Sequence, residues 1–281
     1  MRGAIAAMGT SLGPDIVVRC RALFEAEQMT LAESVPPLAA DLTYGPHERH
    51  RVDLYGAPKG ALLPVLLFVH GGGFVMGDKG GGDNWANANV GRMAAQAGSI
   101  GAVMNYRLAP YHMWPSGAED VALAVDWLRC HAAEYGGDPQ RIVLCGTSAG
   151  AVHIAGYLKL RSDAAELVRG AVLLSGLYGY TPLDAKDERY YGEPALYPQR
   201  MPLEAVAATD LPLLIGCAEF DPPRFQAEFL ALLQDRLTRH GAMPRSTIAS
   251  GHNHYTTAMH LGTSDRRLAD EINEFIQESC V

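Results

Sequence analysis

Apolar runs and helical patterns alternate along this chain. Short runs rich in Val, Ile and Leu predict buried strands at residues 64–69, 100–104, 142–145, 171–175 and 211–217. Apolar residues spaced three or four positions apart predict helices at residues 118–132, 225–237 and 268–275. This order favours an α/β fold with a mostly parallel central sheet, helices on both faces, and ligands bound at the carboxyl ends of the strands.

Two segments depart from this alternation. Near the start, a helical pattern covers residues 16–26, and the alternating residues 52–55 predict an antiparallel strand at the edge of the sheet. Residues 177–209 contain many Tyr and Pro without a sustained period, and a loop of this length inside a compact domain is often functional. We therefore expect one domain over residues 1–281, with residues 1–40 as an N-terminal cap segment and residues 177–209 as a lid insertion.

Composition narrows the classes of function. Of the 281 residues, 48% are hydrophobic and 19% charged, which is ordinary for a globular protein that folds without disulfides or structural metal. The formal charge of -8 is spread without long runs, so the sequence predicts neither a nucleic-acid nor a membrane partner. Scattered cysteines, the lack of a long apolar stretch and the lack of a signal-peptide pattern predict a cytoplasmic protein. No cofactor or metal ion is expected, and a homodimer stays open.

The sharpest motif is Gly-Thr-Ser-Ala-Gly at residues 146–150, which follows the predicted strand at 142–145 and precedes a helical pattern. This is the strand-turn-helix setting of a nucleophile elbow, in which Ser148 stands on a sharp turn between small neighbours. The following helix also directs its positive end towards the site. A chance match in a glycine-containing turn is the alternative, and the flanking elements make it the weaker one.

Three adjacent glycines follow His70, directly after the predicted strand at 64–69. Without side chains in the way, their backbone N–H groups are able to converge on an oxyanion. Together with the N–H of Ala149, they would complete an oxyanion hole beside Ser148. A phosphate-binding loop is disfavoured, because no Lys-Ser or Lys-Thr pair follows the glycines. His70 itself is expected to shape the loop by hydrogen bonding.

In combination, these motifs resemble a known family. His-Gly-Gly-Gly at 70–73, Tyr-Arg-Leu-Ala-Pro at 106–110 and Gly-Thr-Ser-Ala-Gly at 146–150 are similar to the hormone-sensitive-lipase-like carboxylesterases of bacteria, within the α/β-hydrolase superfamily. Asp-Leu-Tyr at 53–55 and the lead into the elbow strand at 137–142 also match. The resemblance implies the α/β-hydrolase fold and a serine nucleophile.

The resemblance also assigns an acid to the site. A carboxylate and then a histidine are expected after Ser148 in chain order. The family carries its acid in an Asp-Pro pair after a strand, and Asp221 with the proline that follows it stands at that place. Glu219, two residues earlier, is the competitor, whereas Asp184 and Asp187 lie in the lid insertion.

Two histidines compete for the role of base. The family commonly has a glycine three positions before its catalytic histidine, and Gly251 therefore selects His254. His252 would then line the pocket or support the site, and on sequence the choice between the two stays open. A metal site on both histidines is set aside, because structural sites usually need about four ligands. The histidines expected at the surface from their polar contexts are His47, His50, His131 and His240.

The reaction that these parts predict is acyl transfer. His254 takes the proton of Ser148 as the serine oxygen attacks a substrate carbonyl, and water then completes the hydrolysis. By resemblance, the donors to the oxyanion are Gly72, Gly73 and Ala149, with Gly71 less favoured.

Three functions compete. A hydrolase of small carboxylic esters is favoured, because all of its parts are present. An arylformamidase-like or other amidase would use the same residues, and residues 190–192 resemble some family members of that kind. A catalytically silent relative that binds a small hydrophobic ligand is least favoured, since such proteins usually lose a member of the triad. Tyr178, Tyr190 and Tyr197 are expected either to line a pocket or to pack the lid.

Overall fold

Among the described residues, eight strands form one sheet. In chain order they are β1 (Ala39–Thr43), β2 (Arg51–Tyr55), β3 (Leu63–Val69), β4 (Ile100–Met104), β5 (Gly137–Thr147), β6 (Gly170–Leu174), β7 (Leu213–Phe220) and β8 (Arg245–Asn253). In the computed structural model, which describes residues 1–57, 60, 62–184 and 187–281, their spatial order is β1-β2-β4-β3-β5-β6-β7-β8. β2 pairs antiparallel with β1 and β4, and the other neighbours pair in parallel. The predicted, mostly parallel sheet is confirmed.

Helices precede, connect and follow these strands. In chain order the α-helices of the described chain are α1 (Arg2–Ala6), α2 (Pro14–Ser34), α3 (Ala88–Gln96), α4 (Ser116–His131), α5 (Ala149–Leu160), α6 (Ala164–Leu167), α7 (Glu188–Tyr191), α8 (Tyr197–Arg200), α9 (Leu203–Ala208), α10 (Pro223–His240), α11 (Thr256–Met259) and α12 (Arg267–Ser279). Short 3-10 helices cover Ala132–Tyr135 and Pro194–Leu196. Among these described helices, none combines the length and the apolar character that a membrane crossing needs.

The sheet is covered by helices on both faces, as the strand sequences predict. Successive side chains of a strand point to opposite faces of a sheet. Leu67 of β3 belongs to an apolar cluster that includes Val125 of α4 and Ile154 of α5. Its neighbour Phe68 belongs to a second cluster with Ile272 of α12. Because both faces are buried, the central strands are continuous apolar runs.

Some elements differ from the prediction. The strand at 52–55 is antiparallel but does not lie at the edge, because β1 pairs outside it. β1 has no buried residue and therefore no apolar alternation by which it could have been predicted. The short helix α3 was also not predicted, and the N-terminal helix α2 is longer than the pattern at 16–26.

The segments predicted as cap and lid both contain helices in the structure. The amide of Gln28 in α2 donates hydrogen bonds of 2.9 and 3.0 Å to the carbonyls of Met259 and Leu261, shortly after β8. Residues 177–209 contain α7, α8 and α9, and two of the predicted lid positions, 185 and 186, lie outside the described residues. The division into cap, lid and body stays a prediction.

The candidate residues follow strands that run in the same direction. His70 follows β3, Ser148 follows β5, Asp221 follows β7 and His254 follows β8. The carboxyl ends of parallel strands lie at one edge of a sheet. The fold therefore gathers segments from four distant parts of the chain at a single edge.

Candidate active site

Ser148 stands on the tight turn between β5 and α5. Its φ of 53° and ψ of -122° form a backbone conformation that side-chain-bearing residues rarely adopt. A Cβ at Gly146 would come 2.6 Å from the backbone nitrogen of Ala151, and a Cβ at Gly150 would overlap the carbonyl of Val69. Both glycines are therefore needed for strand and helix to approach each other around the serine.

The structure brings the side chains of Ser148, His254 and Asp221 together. Nε2 of His254 lies 3.0 Å from Oγ of Ser148, and Nδ1 lies 2.7 Å from Oδ1 of Asp221. Because a carboxylate only accepts, Nδ1 carries the proton and Nε2 accepts from the serine hydroxyl. The ring of Phe225 packs on the imidazole with 4.3 Å between centroids. This is the geometry in which an imidazole takes a proton from a serine.

Asp221 is fully buried, with 0% of its surface exposed. Its second carboxylate oxygen, Oδ2, accepts hydrogen bonds of 2.7 Å from the N–H of Ala218 and 2.6 Å from the hydroxyl of Ser175. These donors stabilise a carboxylate that would otherwise be costly to bury. Ser175 was not predicted as a site residue. A polar residue at the carboxyl end of a buried strand, beside the elbow strand, is the signal that could have found it.

The competing acids have other partners. Oε2 of Glu219 accepts a 2.7 Å hydrogen bond from the N–H of Gly251, and this bond is the main reason why the pKa of Glu219 is lowered. Glu219 thus holds the backbone at the end of β8, three residues before His254. The carboxylates of Asp184 and Asp187, in the predicted lid insertion, accept from the guanidinium of Arg224.

His252 is buried beside the site but faces different groups. Its Nδ1 lies 3.2 Å from Oγ1 of Thr256, and its Nε2 lies 3.3 Å from Oδ2 of Asp265. Its ring stacks on His260 with 3.7 Å between centroids, and burial lowers the pKa of His252. Within the described chain, no three His, Cys, Asp or Glu side chains are grouped to hold a metal ion.

The glycine loop after β3 presents backbone N–H groups beside Ser148. Gly72 has a φ of 134°, and a Cβ there would overlap the carbonyl of Met76. Gly73 has a φ of 56°, again in the region that favours glycine. In the part of the chain that the structure describes, no acceptor is paired with the N–H groups of Gly72, Gly73 or Ala149. These groups are therefore available to a substrate oxygen.

His70 fixes the start of this loop. Its Nδ1–H donates a 2.6 Å hydrogen bond to the carbonyl of Gly71, and the hydroxyl of Tyr106 donates 3.0 Å to the carbonyl of His70. Complete burial lowers the pKa of His70 to about 4, so the ring is neutral at physiological pH. Its role is to shape the loop, in agreement with the expectation from the sequence.

One further sequence expectation has a definite outcome, and the burial of three tyrosines is also defined. His50, expected at the surface, is only 2% exposed, and its Nε2 lies 3.0 Å from the buried carboxylate of Asp120. That prediction was wrong because the polar context of His50 in the sequence does not show its distant partner. Of the lid tyrosines, Tyr178 and Tyr190 are buried, whereas Tyr197 is partly exposed.

Comparisons with known proteins agree with this picture of the fold. A family model described as "alpha/beta hydrolase fold" matches residues 66–211, just over half of the chain. The hyperthermophilic esterase of the archaeon Pyrobaculum calidifontis has a TM-score of 0.72 at 23% identity, covering 99% of this chain and 96% of its own. The carboxylesterase EstE1 from a metagenomic library has a TM-score of 0.71 at 22% identity, covering 94% and 98%.

Curated relatives in Mycobacterium tuberculosis carry names of ester hydrolases. Esterase LipQ is 28% identical over 267 residues, which cover 84% of this chain and 61% of LipQ. The probable carboxylic ester hydrolase LipM is 30% identical over 177 residues, which cover 58% of this chain and 38% of LipM. This chain therefore spans less than two thirds of either relative.

Proposed function

Because this chain belongs to the family of the alpha/beta hydrolase fold, we propose that it hydrolyses small carboxylic esters through an acyl-enzyme intermediate on Ser148. The observation that carries the proposal is the position of His254, whose ring nitrogens lie within hydrogen-bonding distance of Ser148 on one side and Asp221 on the other. Similarity to LipQ and LipM, whose names describe ester hydrolysis, supports the same reaction.

The proposed reaction begins with the attack of Ser148 Oγ on the carbonyl carbon of the ester. His254 accepts the serine proton at Nε2, and Asp221 stabilises the resulting imidazolium through its bond to Nδ1. The N–H groups of Gly72, Gly73 and Ala149 then donate to the oxyanion. These donors are held before the reaction starts, so little reorganisation is needed as the negative charge develops.

Departure of the alcohol completes the first half of the cycle, and attack by water makes up the second half. The imidazolium of His254 protonates the departing alcohol, which leaves the acyl group on Ser148. A water molecule, deprotonated by the same imidazole, attacks the acyl carbon through a second oxyanion at the same donors. The serine recovers its proton from His254, and the carboxylic acid is released.

We also propose that the chain is one domain in which residues 177–209 form the lid insertion and residues 1–40 the N-terminal cap segment. Buried Glu228 of α10 accepts hydrogen bonds of 2.7 Å from the N–H of Tyr178 and 2.6 Å from the N–H of Thr181. Arg224, one turn earlier, pairs with Asp187 at 2.8 Å. These contacts tie the first part of the insertion to the body of the protein.

A substrate panel tests the proposed reaction. Purified protein would be assayed with p-nitrophenyl acetate and butyrate and, separately, with N-formyl anilides, and Ser148→Ala would serve as the control for contaminating activity. We expect hydrolysis of the acetate and butyrate that Ser148→Ala abolishes. Turnover of the anilides without turnover of the esters would replace the proposal with an amidase.

A covalent label separates an enzyme from a silent binder. A fluorophosphonate reacts with a serine that an adjacent base activates. We expect Ser148 of the folded protein to be labelled and heat-denatured protein to remain unlabelled. Absence of labelling together with absence of turnover would indicate a non-catalytic relative.

A further inference from the structure

The glycine loop after β3, residues 71–73, is here called the oxyanion loop. It ends at Phe74, whose backbone is held in an unfavourable conformation. Phe74 follows Gly73 directly, is 6% exposed, and has a φ of 69°. This left-handed conformation is uncommon for a bulky residue and persists only where the surroundings impose it. One such contact is the 3.0 Å hydrogen bond from the N–H of Ala109 to the carbonyl of Phe74. The packing of the Phe74 ring provides further contacts around this residue.

The ring of Phe74 stacks on a tyrosine of the lid insertion. The rings of Phe74 and Tyr190 are parallel to within 6°, with 4.4 Å between centroids, and Tyr191 meets Phe74 edge-on at 5.7 Å. The N–H of Trp114 donates a 2.8 Å hydrogen bond to the carbonyl of Tyr190. The lid thus presents an anchored aromatic face to the residue that closes the oxyanion loop.

His153, on the helix that follows the nucleophile, completes the cluster. It is 1% exposed, and its Nδ1 lies 3.3 Å from the hydroxyl oxygen of Tyr190, within hydrogen-bonding distance. Burial lowers the pKa of His153 to about 3, so the ring is neutral at physiological pH. Its ring also meets Phe74 edge-on at 5.4 Å. A Cβ at Gly117 would overlap this imidazole, so the fold leaves a space there for it.

The same histidine contacts the group that holds the other end of the loop. His153 packs against Tyr106 with 4.4 Å between ring centroids, and Tyr106 stacks on His70 at 4.3 Å. One chain of rings therefore runs from the start of the glycine loop, through the nucleophile helix and the lid, to the end of the loop.

We propose that Tyr190 and His153 are positioning residues for the oxyanion hole. By holding Phe74, they keep the N–H groups of Gly72 and Gly73 at the distance and angle at which an oxyanion is stabilised. The inference rests on the proposed ester hydrolysis and adds a role for the lid that is independent of substrate contact. Donors must lie within about 2.7–3.1 Å of the oxyanion, so a small shift of the loop lowers the rate.

The test compares a Tyr190→Leu variant with two controls. Tyr190→Phe keeps the stacked ring and loses only the hydroxyl. Tyr180→Leu makes the same change in the same insertion at a tyrosine that bonds Asp235 of α10 at 2.7 Å, away from the loop. The readouts are kcat and KM for p-nitrophenyl acetate and the inhibition constant of a trifluoromethyl ketone, whose adduct with the serine places an oxyanion in the hole.

We expect Tyr190→Leu to lower kcat about tenfold to a hundredfold, with KM changed less than about twofold. The inhibition constant of the ketone should rise by a similar factor. Tyr190→Phe should stay within about threefold of the parent, and Tyr180→Leu within about twofold. Phe74→Leu removes the other ring of the stack and gives the same expectation where Tyr190→Leu does not fold.

Three results would overturn the inference. The first is a folded Tyr190→Leu protein with unchanged kcat and unchanged inhibition by the ketone. The second is an equal loss of kcat in Tyr180→Leu. The third is a rise in KM alone in Tyr190→Leu, which would make Tyr190 a substrate-pocket residue. A parent protein that neither turns over ester nor labels at Ser148 would instead refute the proposed function, and the inference with it. Circular dichroism melts identify which variants are folded.

Discussion

A hydrogen bond of 2.7 Å from the N–H of Gly251 to Oε2 of Glu219 joins the end of the strand before the candidate base to the end of the strand before the candidate acid. Glu219 precedes Asp221 by two residues, and Gly251 precedes His254 by three. Gly251 has a φ of 85°, so the loop turns at a position suited to glycine. The bond therefore limits how far the base can move from the acid.

Removing this carboxylate should slow the reaction without removing any reacting group. We expect Glu219→Ala to lower kcat about tenfold, because His254 would lose part of its fixed position. Glu219→Gln keeps an oxygen that accepts from Gly251 and should lose less than about threefold. Arg2→Ala, which removes an exposed guanidinium that donates to the same carboxylate and to Ser250, is the control and should leave kcat unchanged. Parent-like kcat in Glu219→Ala would show that the bond has no positioning role.

Substitution of the two histidines should lower activity to very different extents. We expect His254→Gln to lower kcat/KM by about a thousandfold or more, because no base remains beside Ser148. His252→Gln should lose less than about tenfold, since its ring nitrogens face Thr256 and Asp265. Steady-state kinetics on p-nitrophenyl acetate distinguish the two. A larger loss in His252→Gln than in His254→Gln would assign the base to His252.

A methyl group at Gly72 should disrupt the oxyanion loop. We expect Gly72→Ala to lower kcat about a hundredfold to a thousandfold, because its Cβ would overlap the carbonyl of Met76 and displace the N–H donors. Gly82→Ala is the matched control, since Gly82 also has a positive φ, 53°, but no atom near its Cβ position. The control should fold less stably with nearly unchanged kcat. Equal losses of kcat in both variants would mean that general destabilisation is responsible.

Acid should destabilise the protein through its buried histidines. Burial, with a smaller contribution from His252, lowers the pKa of His260 to about 3, and the ordinary value is 6.5. Between about pH 6.5 and pH 3, His260 is protonated in the unfolded chain but neutral in the folded protein. As the pH falls through this range, the free energy of unfolding decreases by about 1.4 kcal/mol per pH unit because of this residue. Above about pH 6.5 the ring is neutral in both the folded and the unfolded chain, so His260 makes no contribution to the pH dependence of stability.

The contribution of His260 is measurable by urea denaturation at several pH values. His260→Phe keeps a ring against His252 and removes the titrating group. We expect the slope of unfolding free energy against pH between about pH 6 and pH 4.5 to be shallower in this variant by about 1.4 kcal/mol per unit. Parallel profiles for the parent and the variant would show that His260 does not titrate abnormally.

Local requirements on the backbone are visible in the sequence. The elbow around Ser148 and the glycine loop after β3 each need residues without bulk at fixed positions, because a Cβ would overlap neighbouring backbone. A requirement of this kind selects glycine directly, so it appears as a motif. The fold class is visible for a similar reason, since strands that are buried on both faces must be continuously apolar.

Contacts between distant segments are not visible in the same way. Ser175 donates to Asp221, and Glu219 accepts from the N–H of Gly251 on the neighbouring strand. The sequence marks each as a polar residue at the carboxyl end of a strand, but it does not show which distant group each one meets. The stacking of Tyr190 on Phe74 joins residues more than a hundred positions apart. Such pairs depend on strand order and loop direction, which become defined when the whole sheet packs.

The amino-acid sequence thus established an α/β fold, a serine on an elbow and a glycine loop beside it, because each of these depends on residues that are close together in the chain. Which histidine meets Ser148, and which carboxylate meets that histidine, depended on the tertiary structure. His252 and His254 are two residues apart at the end of one strand, and the packed structure places His254 beside Ser148 but His252 beside Thr256 and Asp265.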